Sequence, residues 1–336
     1  MILWALASIL LGAAGAWTVA RFGGLAGLLD AAGERSSHVG VVPKGGGVGI
    51  LAAVALASFA SGLPWLLWLP AVAVSLVSLA GDRFDLSPAL RLAVQFACAA
   101  PAVVAAQAGL DNLAGHAAPL ALAVYLVLVF FVVASANFTN FMDGINGIAG
   151  ITGLIGFSLL FFRARQLGQP DLALAALAPA CACLGFLPFN VPRARVFMGD
   201  AGSVLLGFFF AVLAIRLAGN PAGLIVTAAF FFPFYADAVT TIVVRWRDGE
   251  RLTTAHRRHL YQLLANQGRV AHWKVAAGYG ALQLAVGLAA WSAEAVGTIA
   301  VALVWLTAGG IFFTISRRAR QGFERGRLEN RGRNLL

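Results

Sequence analysis

Residues 117–136 read AAPLALAVYLVLVFFVVASA, a run without a single charged side chain. At a rise of 1.5 Å per residue, twenty such positions make a helix of about 30 Å, the thickness of a bilayer's hydrocarbon core. The rest of the chain repeats the pattern. Of 336 residues, 60% are apolar and only 11% charged, and the mean hydropathy is +0.84. A soluble domain carries roughly a quarter charged residues, so the polar surface here cannot cover a globule in water. Soluble, disordered and disulfide-framework classes are excluded. Cys98, Cys181 and Cys183 lie inside apolar runs without metal-ligand company and read as small buried hydrophobes.

The pattern predicts an all-α integral membrane protein of about 11 transmembrane helices. They are placed near 1–20, 46–62, 64–80, 90–109, 117–136, 145–162, 172–188, 203–219, 222–244, 275–291 and 295–315. With the first loop cytoplasmic, all of the 24 Lys and Arg except Arg163, Arg165 and Arg216 fall on the inner side. The positive-inside rule then puts the N-terminus in the periplasm and the C-terminus in the cytoplasm, as an odd helix count requires. The N-terminal run lacks a preceding basic region and a small-residue cleavage site, so it reads as a retained helix. No fixed-period repeat is visible, and one transmembrane domain over 1–316 followed by a basic, solvated cytoplasmic tail over 317–336 is the simplest organisation. The net charge of +10 would point to nucleic acid in a soluble protein. In a membrane protein it marks cytoplasmic loops facing anionic lipid headgroups and an anionic substrate, with no nucleic-acid partner.

Carboxylates near hydrocarbon are costly, so their positions carry information. Asp30, Glu34, Asp248, Glu250, Glu324 and Glu329 read as solvated loop acids, whereas Asp82, Asp143 and Asp200 each adjoin glycine at a helix boundary with polar neighbours. In Asn137-Phe138-Thr139-Asn140-Phe141-Met142-Asp143-Gly144-Ile145-Asn146-Gly147 the polar residues recur every third position and share one face of a helical or 3₁₀ turn. A ridge of amides and one carboxylate suits a hard cation and a nucleotide, and equally suits helix capping or interhelical bonding. Phe197-Met198-Gly199-Asp200-Ala201-Gly202-Ser203 opens into an apolar helix. Small residues there let backbone amides approach a phosphate, and Asp200 is placed to hold its metal; the alternative is that Asp200 or Ser203 only caps the helix. Arg35-Ser36-Ser37-His38 and Pro43-Lys44-Gly45-Gly46-Gly47 join basic groups to a glycine run, which serves either a phosphate cradle or close helix packing. His256-Arg257-Arg258-His259-Leu260-Tyr261-Gln262 clusters cationic and neutral donors without zinc-site spacing, which favours phosphate and sugar contact. His116 and His272 receive no role.

These motifs, together with Gly81-Asp82-Arg83-Phe84-Asp85-Leu86-Ser87-Pro88 and in this order on successive cytoplasmic loops, resemble the polyprenyl-phosphate N-acetylhexosamine-1-phosphate transferases. The resemblance runs from about residue 30 to 265, and the 256–262 loop looks most like the initiators of O-antigen synthesis. It implies transfer of a sugar 1-phosphate from a UDP-N-acetylhexosamine to undecaprenyl phosphate with release of UMP, at the cytoplasmic face of the bacterial inner membrane. The sugar is N-acetylglucosamine, N-acetylgalactosamine or a 6-deoxy aminosugar, and a homodimer is allowed for.

In family terms Asp200 and Asn140 match magnesium ligands, with Mn²⁺ as an alternative metal, and Asp82, Asp143 and Asp200 match the catalytic acids. Substrate contacts are implied for His38, Lys44, Arg91, Asn137, Asn146, Gly199, Ser203, His256, Arg257 and His259. Arg91 falls near the phosphates, Asn146 on the uridine side, and His256, Arg257 and His259 on a loop that closes over pyrophosphate and sugar. The family's second cytoplasmic loop usually opens with adjacent aspartates; here Gly81 replaces the first. A secondary transporter would place its polar residues at mid-membrane in repeated halves. A membrane prenyltransferase would need a second acidic cluster like Asp82/Asp85. Neither pattern is found.

Overall fold

Every apolar run marked above holds a helix, and the breaks fall where the chain supplies prolines and caps. The structure, a computed structural model, describes residues 1–31, 40–107, 118–251, 254 and 256–333. In chain order the helices are α1 (Ile2–Phe22), α2 (Val48–Ala60), α3 (Trp65–Phe84), α4 (Pro88–Ala106), α5 (Ala118–Met142), α6 (Ile148–Gln166) and α7 (Pro170–Asn190). They continue with α8 (Asp200–Arg216), α9 (Pro221–Ala229), α10 (Phe232–Arg247), the single turn α11 (Leu260–Gln262), α12 (His272–Glu294) and α13 (Thr298–Arg333). The two strands β1 (Leu29–Ala31) and β2 (Val41–Pro43) form an antiparallel ribbon, with Leu29 opposite Pro43. His38 lies outside the described residues.

The caps are local and legible. Ser87 accepts a hydrogen bond from Leu90 N at 3.2 Å with Pro88 opening α4, and Asn220 accepts from Gly223 N at 2.8 Å with Pro221 opening α9. A short polar side chain at the cap meets a backbone donor that the helix leaves free, and proline loses nothing at the first position.

Among the described residues eight helices are long and apolar enough to cross a membrane, nine if α9 and α10 count as one broken span. This differs from the expected eleven, and length is the reason. α2 has 13 residues, about 20 Å of helix against the roughly 30 Å of hydrocarbon. α8 has 17 residues, and everything from Ala201 to Ile215 is buried. It is apolar on all sides because it is surrounded by other helices, α3 and α5 foremost. The bundle is thus a multi-pass membrane protein built around α8, whose first residue is Asp200.

α9 and α10 meet at an angle of 88°. Pro233, in the first turn of α10, cannot donate to the ladder, and the Gln283 side chain of α12 supplies a donor to Phe230 O at 2.6 Å and to Thr152 O at 3.0 Å. A broken helix in an apolar surrounding survives only when its freed carbonyls find such partners. The boundary between 316 and 317 falls inside α13. There Arg320 is only 7% exposed and donates Nη2–H to Thr241 Oγ1 at 3.0 Å, so this part of the basic tail is docked rather than solvated.

Candidate active site

Two backbone segments far apart in sequence are zipped together first. Phe197 N donates to Pro43 O at 2.8 Å, Gly46 N to Phe197 O at 2.9 Å and Gly47 N to Met198 O at 2.9 Å. A Cβ on Gly47 would lie 2.4 Å from Gly202 Cα, so the glycine run serves close packing, and the amides of Gly46 and Gly47 are spent on the chain, not on a phosphate cradle. The same holds for the start of α8. Gly202 N and Ser203 N both donate to Gly199 O at 3.1 Å, and Asp200 N donates to Asp82 Oδ2 at 3.0 Å. What the zipper achieves is to bring Lys44 to Asp82, with Nζ 3.4 Å from Oδ1.

Asp200 is the hub. Arg91 Nη1, from the first turn of α4, donates to its Oδ2 at 2.6 Å, and Asn140 Nδ2, near the end of α5, donates to its Oδ1 at 2.8 Å. Asn140 Nδ2 also reaches Ser203 Oγ at 3.0 Å. Five elements therefore converge: the segment before α2, the ends of α3 and α5, and the starts of α4 and α8. All but the start of α4 wall a cavity of about 290 Å³ lined by Lys44, Asp82, Asn140, Asp143, Asn146 and Asp200, with Asp30, Gly144, Ile145, Asn190, Phe197, Gly199 and His272 completing it; Arg91 is not in the lining and meets the site through Asp200. Burial and the charges of Asp200 and Asp82 push the Asp143 carboxyl well above the usual carboxylate range. Like charges gathered around one cavity favour a cation there. Among the described residues no group of three or more His, Cys, Asp or Glu side chains forms a ligand set by itself. The hard oxygens of Asp200 and Asn140 fit Mg²⁺, which takes one or two protein oxygens and completes its octahedron with phosphate and water.

Not every expected residue arrives. Asn137 is turned away from the cavity: its Nδ2 donates to Gln95 Oε1 of α4 at 2.6 Å and to Val133 O at 2.8 Å, so in the Asn ridge only Asn140, Asp143 and Asn146 face the site. Ser203 is fully buried; its hydroxyl donates back to Gly199 O at 3.1 Å and accepts from Asn140, and the helix start at Gly199 has no side-chain cap, so Ser203 neither lines the cavity nor caps α8. The His256–His259 segment does not line the cavity. His259 is 4% exposed with Nδ1 3.5 Å from the buried Asp237 carboxylate, and Arg257 lines a separate cavity of about 670 Å³ with Gln262, Asn266 and Arg320. Burial lowers His256 to about 4, with His259 and Arg245 adding to the effect, so it is neutral at physiological pH. Asn190 and His272 were not expected at the site. Asn190 accepts from Gly147 N at 2.6 Å and His272 Nδ1 from Asn146 N at 3.4 Å, fixing the turn after Asp143. No spacing in the chain signals a contact between residues this far apart.

The profile of glycosyl transferase family 4 matches residues 64–218, which hold Asp82, Arg91, Asn140, Asp143 and Asp200 and stop short of the histidine segment. The undecaprenyl-phosphate alpha-N-acetylglucosaminyl 1-phosphate transferase of Salmonella typhimurium is 31% identical over 257 residues, 72% of this chain and 70% of that protein. The chain belongs to the polyprenyl-phosphate hexosamine-1-phosphate transferases. Within this family it is also 29% identical over 258 residues to the enzyme of the same name from Haemophilus influenzae, covering 72% of this chain and 73% of the other. The decaprenyl-phosphate N-acetylglucosaminephosphotransferase of Mycobacterium leprae is 31% identical over 279 residues, covering 70% and 69%.

Proposed function

We propose that the chain transfers a sugar 1-phosphate from a UDP-N-acetylhexosamine to undecaprenyl phosphate, releasing UMP, and that this opens the synthesis of O-antigen or a related envelope polysaccharide. The convergence of Arg91, Asn140 and Asp82 on Asp200 carries the reading. The concentration of Lys and Arg on the loops of that end supports a cytoplasmic site in the bacterial inner membrane. The names of the relatives favour N-acetylglucosamine as the sugar.

In the reaction an oxygen of the lipid phosphate attacks the β-phosphorus of the nucleotide. A new P–O bond forms as the bond from that phosphorus to the bridging oxygen breaks, and UMP leaves with the bridging oxygen. Mg²⁺, held by Asp200 and Asn140, supplies Lewis-acid neutralisation of the phosphate oxygens when bound. Lys44 brings positive charge to the cavity wall and Arg91 adds its own through Asp200, and such preorganised charge beside the phosphates is worth more here than in water. Asp82 holds the backbone of Asp200 and the ammonium of Lys44 in register. With Gly81 in place of an acid, no paired aspartates stand there to act as base; a phosphate monoester, whose second pKa is about 6, is largely ionised at neutral pH and needs none. Asn146, which lines the cavity with Asn190 and His272, is the residue assigned to the nucleoside side by the family resemblance.

Purified protein in detergent with undecaprenyl phosphate, Mg²⁺ and a panel of UDP-N-acetylhexosamines tests this. UMP together with a pyrophosphoryl-sugar lipid of the matching mass is expected, UDP-N-acetylglucosamine being the first donor tried. Folded protein that yields neither from any donor overturns the reading.

A further inference from the structure

We propose that Asp237, outside the catalytic cavity, is a positioning residue that holds the 256–262 segment and, through Tyr261, the Asp143–Gly144 side of the cavity. Asp237 lies on α10, one turn past the bend, and is fully buried. Its Oδ1 accepts from Leu260 N at 2.9 Å and from Thr241 Oγ1 at 3.1 Å. Its Oδ2 accepts from the Tyr279 hydroxyl of α12 at 2.7 Å and from Tyr261 N at 3.3 Å. A carboxylate has about four lone-pair sites, and here four donors from three elements meet them. α11 runs on into a π-helical turn over Leu263–Gln267, and Asp237 receives the first two amides of this short segment, the backbone donors that a helix start leaves without a partner of its own, so the carboxylate fixes where the segment begins.

Tyr261 carries that position to the site. It is fully buried, and its hydroxyl donates to Phe141 O at 2.9 Å. A Cβ on Gly144 would stand 2.3 Å from that hydroxyl oxygen, so the glycine is what lets the phenol tip pass. Phe141 and Gly144 bracket Asp143, which lines the cavity. The path from Asp237 to Asp143 thus runs through two backbone amides and one phenol. An asparagine at 237 would offer one acceptor and two donors, turning its amide hydrogens toward groups that are themselves donors and leaving buried partners unmet.

The proposal rests on the proposed reaction only for its kinetic readout; the structural readout is hydrogen–deuterium exchange of the full-length protein in detergent. Asp237→Asn is expected to speed exchange by about tenfold or more both in peptides over 259–263 and in peptides over 141–147. It should lower kcat by about 10- to 100-fold with KM for undecaprenyl phosphate within about twofold of wild type. Tyr261→Phe removes one hydroxyl, should speed exchange over 141–147 alone, and decides the question if Asp237→Asn fails to fold. Faster exchange confined to 259–263 in Asp237→Asn, or unchanged exchange over 141–147 in Tyr261→Phe, overturns it. If wild type releases no UMP from any donor, the proposed reaction falls, while the exchange pattern still decides the role of Asp237.

Discussion

The Asp200 cluster and the His256–Gln262 segment look alike as sequence: both are short, polar, rich in donors and acceptors, and set between apolar runs. Their environments are opposite. Around Asp200 the polar side chains of distant elements meet at one carboxylate, and Asp200, Asn140, Asp143 and Lys44 line a cavity that a ligand can enter. In the histidine segment His259 and Tyr261 turn inward: His259 Nδ1 lies 3.5 Å from the Asp237 carboxylate, and the Tyr261 hydroxyl is spent on Phe141 O. The difference teaches that a polar motif in a membrane protein has two uses. It is either paid for by a substrate or by a buried partner on another helix.

The comparison breaks most visibly at Asp200. Asp200→Asn keeps the shape and removes the charge, and turnover measured as UMP release is expected to fall by on the order of 10³-fold while the protein melts as wild type does. Near-normal turnover would put the metal elsewhere and make the two regions equivalent. Asp143 comes next. Because burial and the neighbouring acids raise its pKa, it takes up a proton at a higher pH than an ordinary carboxylate, so activity carried by its ionised form is lost early as pH falls. Asp143→Asn should remove that acid limb from the pH–kcat profile and cost on the order of 10²-fold; an unshifted limb would assign it to another group.

His259→Ala tests the other side. Taking this ring from the buried Asp237 should cost about 2 kcal/mol of stability, read as a lower melting temperature in detergent, with KM for the nucleotide sugar unchanged. The reverse outcome, wild-type melting with a raised KM, would return His259 to the substrate as the family resemblance implies. Gly81→Asp is smaller. A Cβ at 81 meets Arg91 Cδ at 3.2 Å, a contact that asks for a small shift of a side chain whose tip stays on Asp200, so turnover should stay within about tenfold. A larger rise would show that a missing acid limits the reaction. The smallest effect is at His256. Its folded value of about 4 lies below the ordinary 6.5, so protonation favours the unfolded chain. Stability is complete above about pH 6.5 and is lost as pH falls toward 4; His256→Gln should flatten that slope in melting curves.

The helices were legible because hydrocarbon thickness and the cost of a charge act on each run separately. The break at Pro233 was not: residues 222–244 pass as one span until Gln283 of another helix shows where the freed carbonyl goes. In the site, Asp82, Asn140, Asp143, Asn146 and Asp200 were legible because acids and amides at the edge of an apolar run are expensive and few. Asn137 carried the same signal and proved to bond Gln95, since the three-residue step fixes a face and not what that face meets. Asn190 and His272 had no signal, because their partners lie 43 and 126 residues away.

By itself the amino-acid sequence determined that this is a multi-pass helical membrane protein and, through its ordered motifs, which family it resembles. Both follow from quantities that act locally along the chain: apolar length, charge scarcity, and residue type at fixed spacing. Only the tertiary structure decided which polar groups face the cavity and which are consumed inside the bundle, that α8 is a buried centre and not a lipid-facing span, and that Asp237 anchors the histidine segment. A side chain's partners are set by helices far away in the chain, and no local pattern records which way it turns.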